Sequence, residues 1–413
     1  MSNELAMSPP EPPRTHFRVL DGWRGVAALL VALFHLNLFS AIYSLEFVRN
    51  AYLFVDFFFV LSGFVITHSY ADRLKTLEEF GSFAIRRLGR LWPLHVVVLL
   101  AFVAVESLKA VLAARGASFY FPPFTGANSL NAIPMNLVFA QSFGLIQNLT
   151  WNPPSWSICA EFWTYLVFAI VLMAGSTWFG RFRFATAALI TVMLVGSISI
   201  LALFAQHGID ASYDLGFFRC LYGFLVGHVT YRIFQTVSKA RWDAGFLEWA
   251  VLIAMASYVS LVGRTDYSLF APLVFAAAVF IFAFEAGPVS RLMSNKVNDW
   301  LGRVSYSIYM WQAFIIFNFV DRPVSILEKL TGRVLTTTDD ANSALGGEAG
   351  KLIVLGGHVL PILVTLAFIG FLIAFASASY YLVELPGQKF FARWVRWRWR
   401  NFPSPVRSVG TIQ

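Results

Sequence analysis

Apolar runs long enough to cross a bilayer follow one another along almost the whole chain, separated by short polar clusters. A spanning helix needs about twenty consecutive apolar residues. The pattern predicts ten such helices, near 23–42, 51–70, 92–113, 157–175, 184–206, 216–234, 246–263, 268–285, 303–320 and 356–383. One more apolar stretch, 133–147, is short and broken by Pro134, so it reads as a re-entrant or interfacial piece. The expected fold class is an all-α polytopic membrane protein of about ten transmembrane helices.

Charge sets the expected orientation. Hydrophobic residues make up 58% of the chain and charged residues only 13%, about half the share usual in soluble domains. With the N-terminus inside, the cytoplasmic segments are the N-terminal tail, 71–91, 176–183, 232–245, 286–303 and the C-terminal tail. They hold 22 of the 31 Lys and Arg, the asymmetry that the positive-inside rule describes. Both termini are expected in the cytoplasm and the protein in the cell (inner) membrane. The net charge of +8 is thus a signal of topology and gives no reason to expect nucleic acid.

Three regions follow. Residues 1–16, with Pro9, Pro10, Pro12 and Pro13, read as a disordered cytoplasmic tail. They do not read as a signal peptide, because no small-residue cleavage site follows the first apolar run. Residues 17–391 form the membrane domain, and 392–413 a basic cytoplasmic tail. In that tail cations and aromatics alternate from Arg393 to Arg400, an anchor for anionic membrane lipid. The loop 321–355, with Asp339-Asp340 and Gly346-Gly347, is expected outside and flexible. Two cysteines, Cys159 and Cys220, provide neither a disulfide framework nor a metal-ligand spacing.

The polar residues that interrupt the apolar runs carry the candidate chemistry, since ionisable groups are costly inside a membrane. Arg24 and His35 stand eleven residues apart, three helical turns plus about 20°, so they share a face. His35 would lie about 16 Å above Arg24, near mid-membrane. Asp56, on the second span, comes within roughly 4 Å of His35 in depth by the same rise per residue. It either orients the imidazole or makes a hydrogen bond between paired helices. Arg86 and Arg90 face one way if their segment is helical, and with Arg24 they suit phosphate or pyrophosphate. A positive-inside anchor explains one or two of these arginines equally well. Ser157 and Glu161 share a face of the fourth span, with Glu161 expected near the depth of Asp56. A capping or packing network competes with a functional role there. Arg303, Ser305 and Tyr306 open the ninth span at the inner surface, and Glu384 closes the tenth, positioned to pair with an arginine.

These motifs, in this order, resemble the acyltransferase-3 family of integral membrane O-acyltransferases, over Phe17 to Phe391. They are Arg24 with His35, Asp56 to Gly63, Arg86-Arg87 before Leu91-Trp92-Pro93, Ser155-Trp156-Ser157 with Glu161, Leu301-Gly302-Arg303 with Ser305-Tyr306, and Glu384-Leu385-Pro386. The resemblance implies transfer of an acyl group, often acetyl, from cytoplasmic acyl-CoA to a hydroxyl of a sugar, lipid-linked glycan or small molecule, with no metal. It makes His35, Asp56, Arg24 and Glu161 the catalytic candidates, His35 as general base. Arg24, Arg86, Arg87, Arg90, Arg303 and Tyr306 become the candidates for holding CoA. Two positions depart from the family: Gln312 stands where members commonly have a His, and Phe54 replaces a common Gly. A multispan transporter or flippase of a polar or anionic substrate would use similar buried charges, but no repeated halves of the kind common in transporters are visible.

Overall fold

The computed structural model describes residues 16–119, 121–177, 184–237, 244–338 and 351–401. Residues 1–15 of the expected N-terminal tail, Asp339-Asp340 and Gly346-Gly347 lie outside them. Helix α1 (Arg18–His35) starts before the expected first span and stops well short of residue 42. Its start is fixed by polar partners: the Val19 amide donates to Glu285 Oε1 at 3.0 Å and Arg18 pairs with Asp299 at 2.5 Å. Asp21 in the first turn suits the positive end of the helix dipole. At the other end Leu36 turns extended, and residues 37–39 bond to Ile353 through backbone groups. Those strand-like bonds take the chain out of the helix at His35.

The remaining long helices are α2 (Phe54–Tyr70), entered through a 3₁₀ turn at Ala51–Leu53, α3 (Leu77–Ala114), α4 (Ser155–Thr177), α5 (Ala185–Phe204), α6 (Gly216–Thr236), α7 (Ala244–Val262), α8 (Ala271–Phe282) and α9 (Lys296–Ile315). A π-helical segment, Ile316–Asp321, leads into α10 (Arg322–Thr331). Another, Tyr380–Glu384, joins α11 (Val359–Ser379) to α12 (Leu385–Asn401). Among the described residues, six helices are long and apolar enough to cross a bilayer: α2 with its leading turn, α3, α4, α5, α7 and the α11–α12 rod. The other expected spans fall on α1, α6 and α9, which charged residues dilute, and on the twelve-residue α8.

Helix α2 is the centre of the bundle. Most of its apolar window is buried (78%), against 17% for α5 and 22% for α7, whose outward Val192, Val195, Ile253 and Leu261 suit contact with lipid. Two helix pairs cross closely through glycine, the small-residue packing that membrane helices use. In α2–α6, a Cβ on Gly63 would lie 1.9 Å from Phe224 O, and one on Gly227 2.0 Å from Val60 O. In α1–α9, a Cβ on Gly25 would lie 2.7 Å from Leu301 Cβ, and one on Gly302 2.4 Å from Asp21 O.

Four further segments differ from the sequence pattern. Helix α3 opens with a capping box, Thr76 with Glu79, and runs without a break through Arg86, Arg87, Arg90 and Pro93. The stretch 133–147 is a short helix, Ile133–Leu137, followed by irregular chain in which Phe139, Gln141 and Ser142 are buried while Val138 and Phe143 to Leu145 are exposed. Side chains of α3 and α4 satisfy its carbonyls: His95 Nε2 lies 2.9 Å from Asn136 O, and Cys159 Sγ and Trp163 Nε1 both donate to Phe139 O at 2.7 Å. Irregular backbone is stable at membrane depth under those conditions. The loop expected to be flexible carries α10 and an antiparallel pair, β1 (Thr336–Thr338) and β2 (Lys351–Ile353), with Thr337 opposite Leu352. The segment expected as a C-terminal tail from 392 is helical to Asn401 as part of α12, which packs on α3 where Phe391 meets Gly89 and Gly387 meets Pro93.

Candidate active site

A cavity of about 470 Å³ opens between α1, α2, α3, α4 and α9. It gathers Arg24, Arg87, Arg90, Arg303, Tyr306 and Glu161, six positions spread over four helices. Arg86, His35 and Asp56 do not line it.

The tight α1–α9 crossing explains how Arg24 is held. With no side chain at Gly25 or Gly302, the helices approach enough for Arg24 Nη2 to donate to Gly302 O at 2.7 Å. Its Nε donates to Ser305 Oγ at 3.0 Å, and Nη1 pairs with Asp21 Oδ1 at 3.1 Å. Ser305 Oγ in turn donates to Gly302 O at 2.8 Å. Arg24 is thus a fixed cation in the cavity wall.

On α3, the face that enters the cavity is that of Arg87 and Arg90, not of Arg86 and Arg90 as the i, i+4 pattern suggested. Arg86 is exposed. Arg87 lies over the rings of Tyr70, Phe83 and Tyr165 at 5.6–5.8 Å, and its buried Nε has no hydrogen-bond partner. Tyr306 donates to Leu91 O at 2.6 Å, next to the turn where Pro93 removes a backbone donor. Arg303 is exposed at the rim. Glu384 is buried and accepts from Ser307 Oγ at 2.7 Å and Gln388 Nε2 at 3.1 Å, with Arg90 as its principal charged neighbour.

Glu161 lies deeper than expected. Its Oε1 accepts from Ser62 Oγ at 2.5 Å and from Tyr165 OH. Ser62 is six residues further along α2 than Asp56, about 9 Å nearer the arginines. Ser157 Oγ is 2.8 Å from Tyr309 OH, at the far end of the cavity.

His35 and Asp56 are separated in the structure. Phe17 meets Phe64 and His68 edge-on, while Phe34 packs against Tyr52 at a tilt, so α1 and α2 are antiparallel and His35 lies level with Tyr52. His35 Nδ1 is 2.8 Å from Val31 O and therefore carries the proton there, which leaves Nε2 as the acceptor. The expected Asp56–His35 hydrogen bond is replaced by an ion pair between helices. Asp56 Oδ1 and Oδ2 accept from Arg219 Nε at 3.0 Å and Nη2 at 2.8 Å, with Asp56 0% and Arg219 1% exposed. Arg219 Nη1 donates to Ala211 O at 3.2 Å and reaches Asp210 at 3.4 Å, and Asp210 also pairs with Arg264 at 3.1 Å. Trp156 and Tyr52 cover the Arg219 guanidinium. The backbone carbonyl of Val31 takes the place of the carboxylate as the group that sets the His35 tautomer.

The spacing arguments missed Arg219, Ser62 and Tyr165. Arg219 had a signal, a lone cation within the apolar run Gly216-Phe217-Phe218-Arg219-Cys220-Leu221. Ser62 and Tyr165 had none, because a hydroxyl in a span is common and only the packing of α2 on α4 gives these two a shared carboxylate. Among the described residues, no group of three or more His, Cys, Asp or Glu is arranged to hold a metal ion.

Comparison with known proteins finds relatives by sequence. The chain is 27% identical over 328 residues to a peptidoglycan O-acetyltransferase of Listeria monocytogenes, a match covering 73% of this chain and 50% of that protein. It is 24% identical over 416 residues to a Staphylococcus aureus protein provisionally named an O-acetyltransferase, covering 94% and 60% respectively. A Rhizobium radiobacter protein, protein 2 in the picA locus, is 40% identical over 102 residues, 24% of this chain and 49% of its own length. The chain thus spans about half to three-fifths of the length of these relatives. No solved structure matches it with significance. The acyltransferase domain profile matches residues 17–335, which include α1 through α10 and every candidate residue of the cavity: the chain belongs to the acyltransferase-3 family, a multipass membrane protein among acyltransferases.

Proposed function

We propose that the protein is an O-acetyltransferase of the cell (inner) membrane, taking acetyl from acetyl-CoA on the cytoplasmic side. The acceptor is a hydroxyl of a glycan, a lipid-linked sugar or a small molecule, as the peptidoglycan relative suggests. In this reading ten helices span the membrane and both termini are cytoplasmic. The observation that carries it is the arginine-lined cavity at one end of α1, with a histidine at the other end whose Nδ1 proton is committed to Val31 O.

The residues suit such a donor. Planar guanidinium groups bind phosphate through paired donors, and Arg87, Arg90 and Arg303 converge on one space. The unpaired Nε of Arg87 is a donor that a phosphate oxygen would satisfy. Arg24, tied to Asp21, Gly302 and Ser305, shapes the wall and contributes positive potential. The thioester arm then follows α1 toward His35, passing Glu161 with its hydroxyl partners. His35 Nε2 removes the proton from the attacking hydroxyl, and Asp56 contributes by fixing α2 and α6 around it through Arg219.

Acetyl-CoA consumption by the purified protein, measured over a panel of glycan, lipid and small-molecule acceptors, tests this. His35→Ala should abolish transfer while CoA still binds, and a double Arg87→Ala/Arg90→Ala variant should raise KM for acetyl-CoA at least tenfold. Undiminished turnover in His35→Ala would overturn the assignment of the base. Unchanged KM in the arginine variant would overturn the assignment of the donor site.

A further inference from the structure

Helices α1 and α9 run parallel in a single register. Gly25 packs on Gly302, and ten residues further along both helices His35 meets Gln312. Gln312 is fully buried (0% exposed). Its amide lies within hydrogen-bonding reach of the His35 ring, yet no hydrogen bond of good geometry satisfies Nε2 or Oε1. One turn earlier on α9, Tyr309 marks the end of the cavity. Two residues before Gln312, the Met310 carbonyl accepts from Asn152 Nδ2 at 3.1 Å, leaving Asn152 Oδ1 likewise unpaired. Buried carboxamides are normally satisfied, and an unpaired one calls for a partner absent from the protein itself. Here that partner must be small, polar and able to reach His35 Nε2 as well.

We propose that the Gln312 carboxamide is the oxyanion donor of the transfer reaction, holding the thioester carbonyl oxygen beside His35. The inference rests on His35 being the general base. The acceptor hydroxyl oxygen bonds to the thioester carbon as its proton passes to His35 Nε2. The carbonyl π pair moves onto the oxygen, which accepts from Gln312 Nε2. When that oxyanion re-forms the carbonyl, the C–S bond breaks, and the CoA thiolate takes the proton back from His35. An N–H donor already aimed at the developing charge, in a site that excludes water, stabilises the tetrahedral state more than the ground state.

The experiment measures steady-state acetyl transfer from acetyl-CoA by the full chain, together with CoA binding and thermal unfolding. Gln312→Leu and the isosteric Gln312→Glu each remove the donor. Both should lower kcat by about 10²–10³-fold, the usual loss for one oxyanion donor, with KM for acetyl-CoA unchanged. Gln312→His, which keeps an N–H, should retain more activity than either, and it serves as the deciding variant if the other two do not fold. A kcat within threefold of the parent protein for Gln312→Leu, or a folded Gln312→His as inactive as Gln312→Leu, overturns the proposal. An inactive His35→Ala beside a fully active Gln312→Leu would remove the oxyanion assignment alone. A fully active His35→Ala would remove the base, and the inference that depends on it.

Discussion

Asp56 and Arg219 illustrate what a buried charge does once it has found its counter-charge. The bidentate pair joins α2 to α6 with almost no exposure. Taking both groups out of water is costly, so the pair adds little net stability against apolar residues of the same size. Removing one partner strands the other, and this typically costs about 3–5 kcal/mol. Arg219→Ala and Asp56→Ala should therefore each lower the unfolding temperature markedly. The double variant Asp56→Ala/Arg219→Ala should lose less than the sum of the two, because the second change removes a stranded charge. Thermal unfolding in detergent of the three variants reads this directly, and strict additivity would mean that the pair is not coupled. Arg24 is a different case. It has protein partners at every nitrogen, yet it still faces the cavity, so its charge serves the cavity while its geometry serves the α1–α9 contact.

At the scale of helices, the site depends on how closely two pairs of rods can approach. Gly25 sets the distance between α1 and α9, and through it both the Arg24–Ser305 bond and the His35–Gln312 contact. Gly25→Val inserts side-chain carbons where a Cβ alone would already fall 2.7 Å from Leu301 Cβ. Overpacking of this kind costs about 1–3 kcal/mol. The variant should fold with reduced stability and lose most acetyl transfer, since His35 and Gln312 shift relative to each other. Gly196 on α5 has nothing within 4 Å of its would-be Cβ, so Gly196→Ala is the matched control and should leave transfer unchanged. Equal transfer by Gly25→Val and Gly196→Ala would show that the α1–α9 spacing does not set the site. The π-helical segment before α12 works in the same way, because it places Glu384 against Ser307.

For the whole molecule, the expected topology puts the arginine end of the cavity on the cytoplasmic face and the 114–156 segment outside. A cysteine introduced at Ala127, an exposed position, should react with an impermeant thiol reagent added to intact cells. One introduced at Lys75, exposed beside the N-terminus of α3, should react only after the membrane is opened. Cys159 and Cys220 are both buried, so the background is low. Labelling in the reverse pattern would invert the bundle and place the donor cavity outside. The lipid-facing α5 carries no charged residue, α7 turns its one carboxylate, Glu248, inward onto Gly287 and Ser290, and the helices with Asp56, Arg219 and Glu161 likewise turn these groups into the bundle.

The order of apolar runs by itself determined that this is a helical membrane protein, because a bilayer requires about twenty apolar residues wherever a helix crosses it. It also marked Arg24, His35, Asp56 and Glu161, since an ionisable residue in an apolar run is visible without a partner, whereas Arg87 entered only through the family resemblance. Partners were decided only in three dimensions. Helical periodicity says which way a side chain points from its own axis, but not which helix stands opposite or how far the rod has slid. That is why Asp56 was assigned to His35 when α6 brings Arg219 to it, and why Arg86 was expected where Arg87 lies. The end of α1 at His35 was equally invisible, because Leu36 to Phe39 are as apolar as the helix before them. Backbone pairing with Ile353, more than three hundred residues away in the chain, ends the helix there.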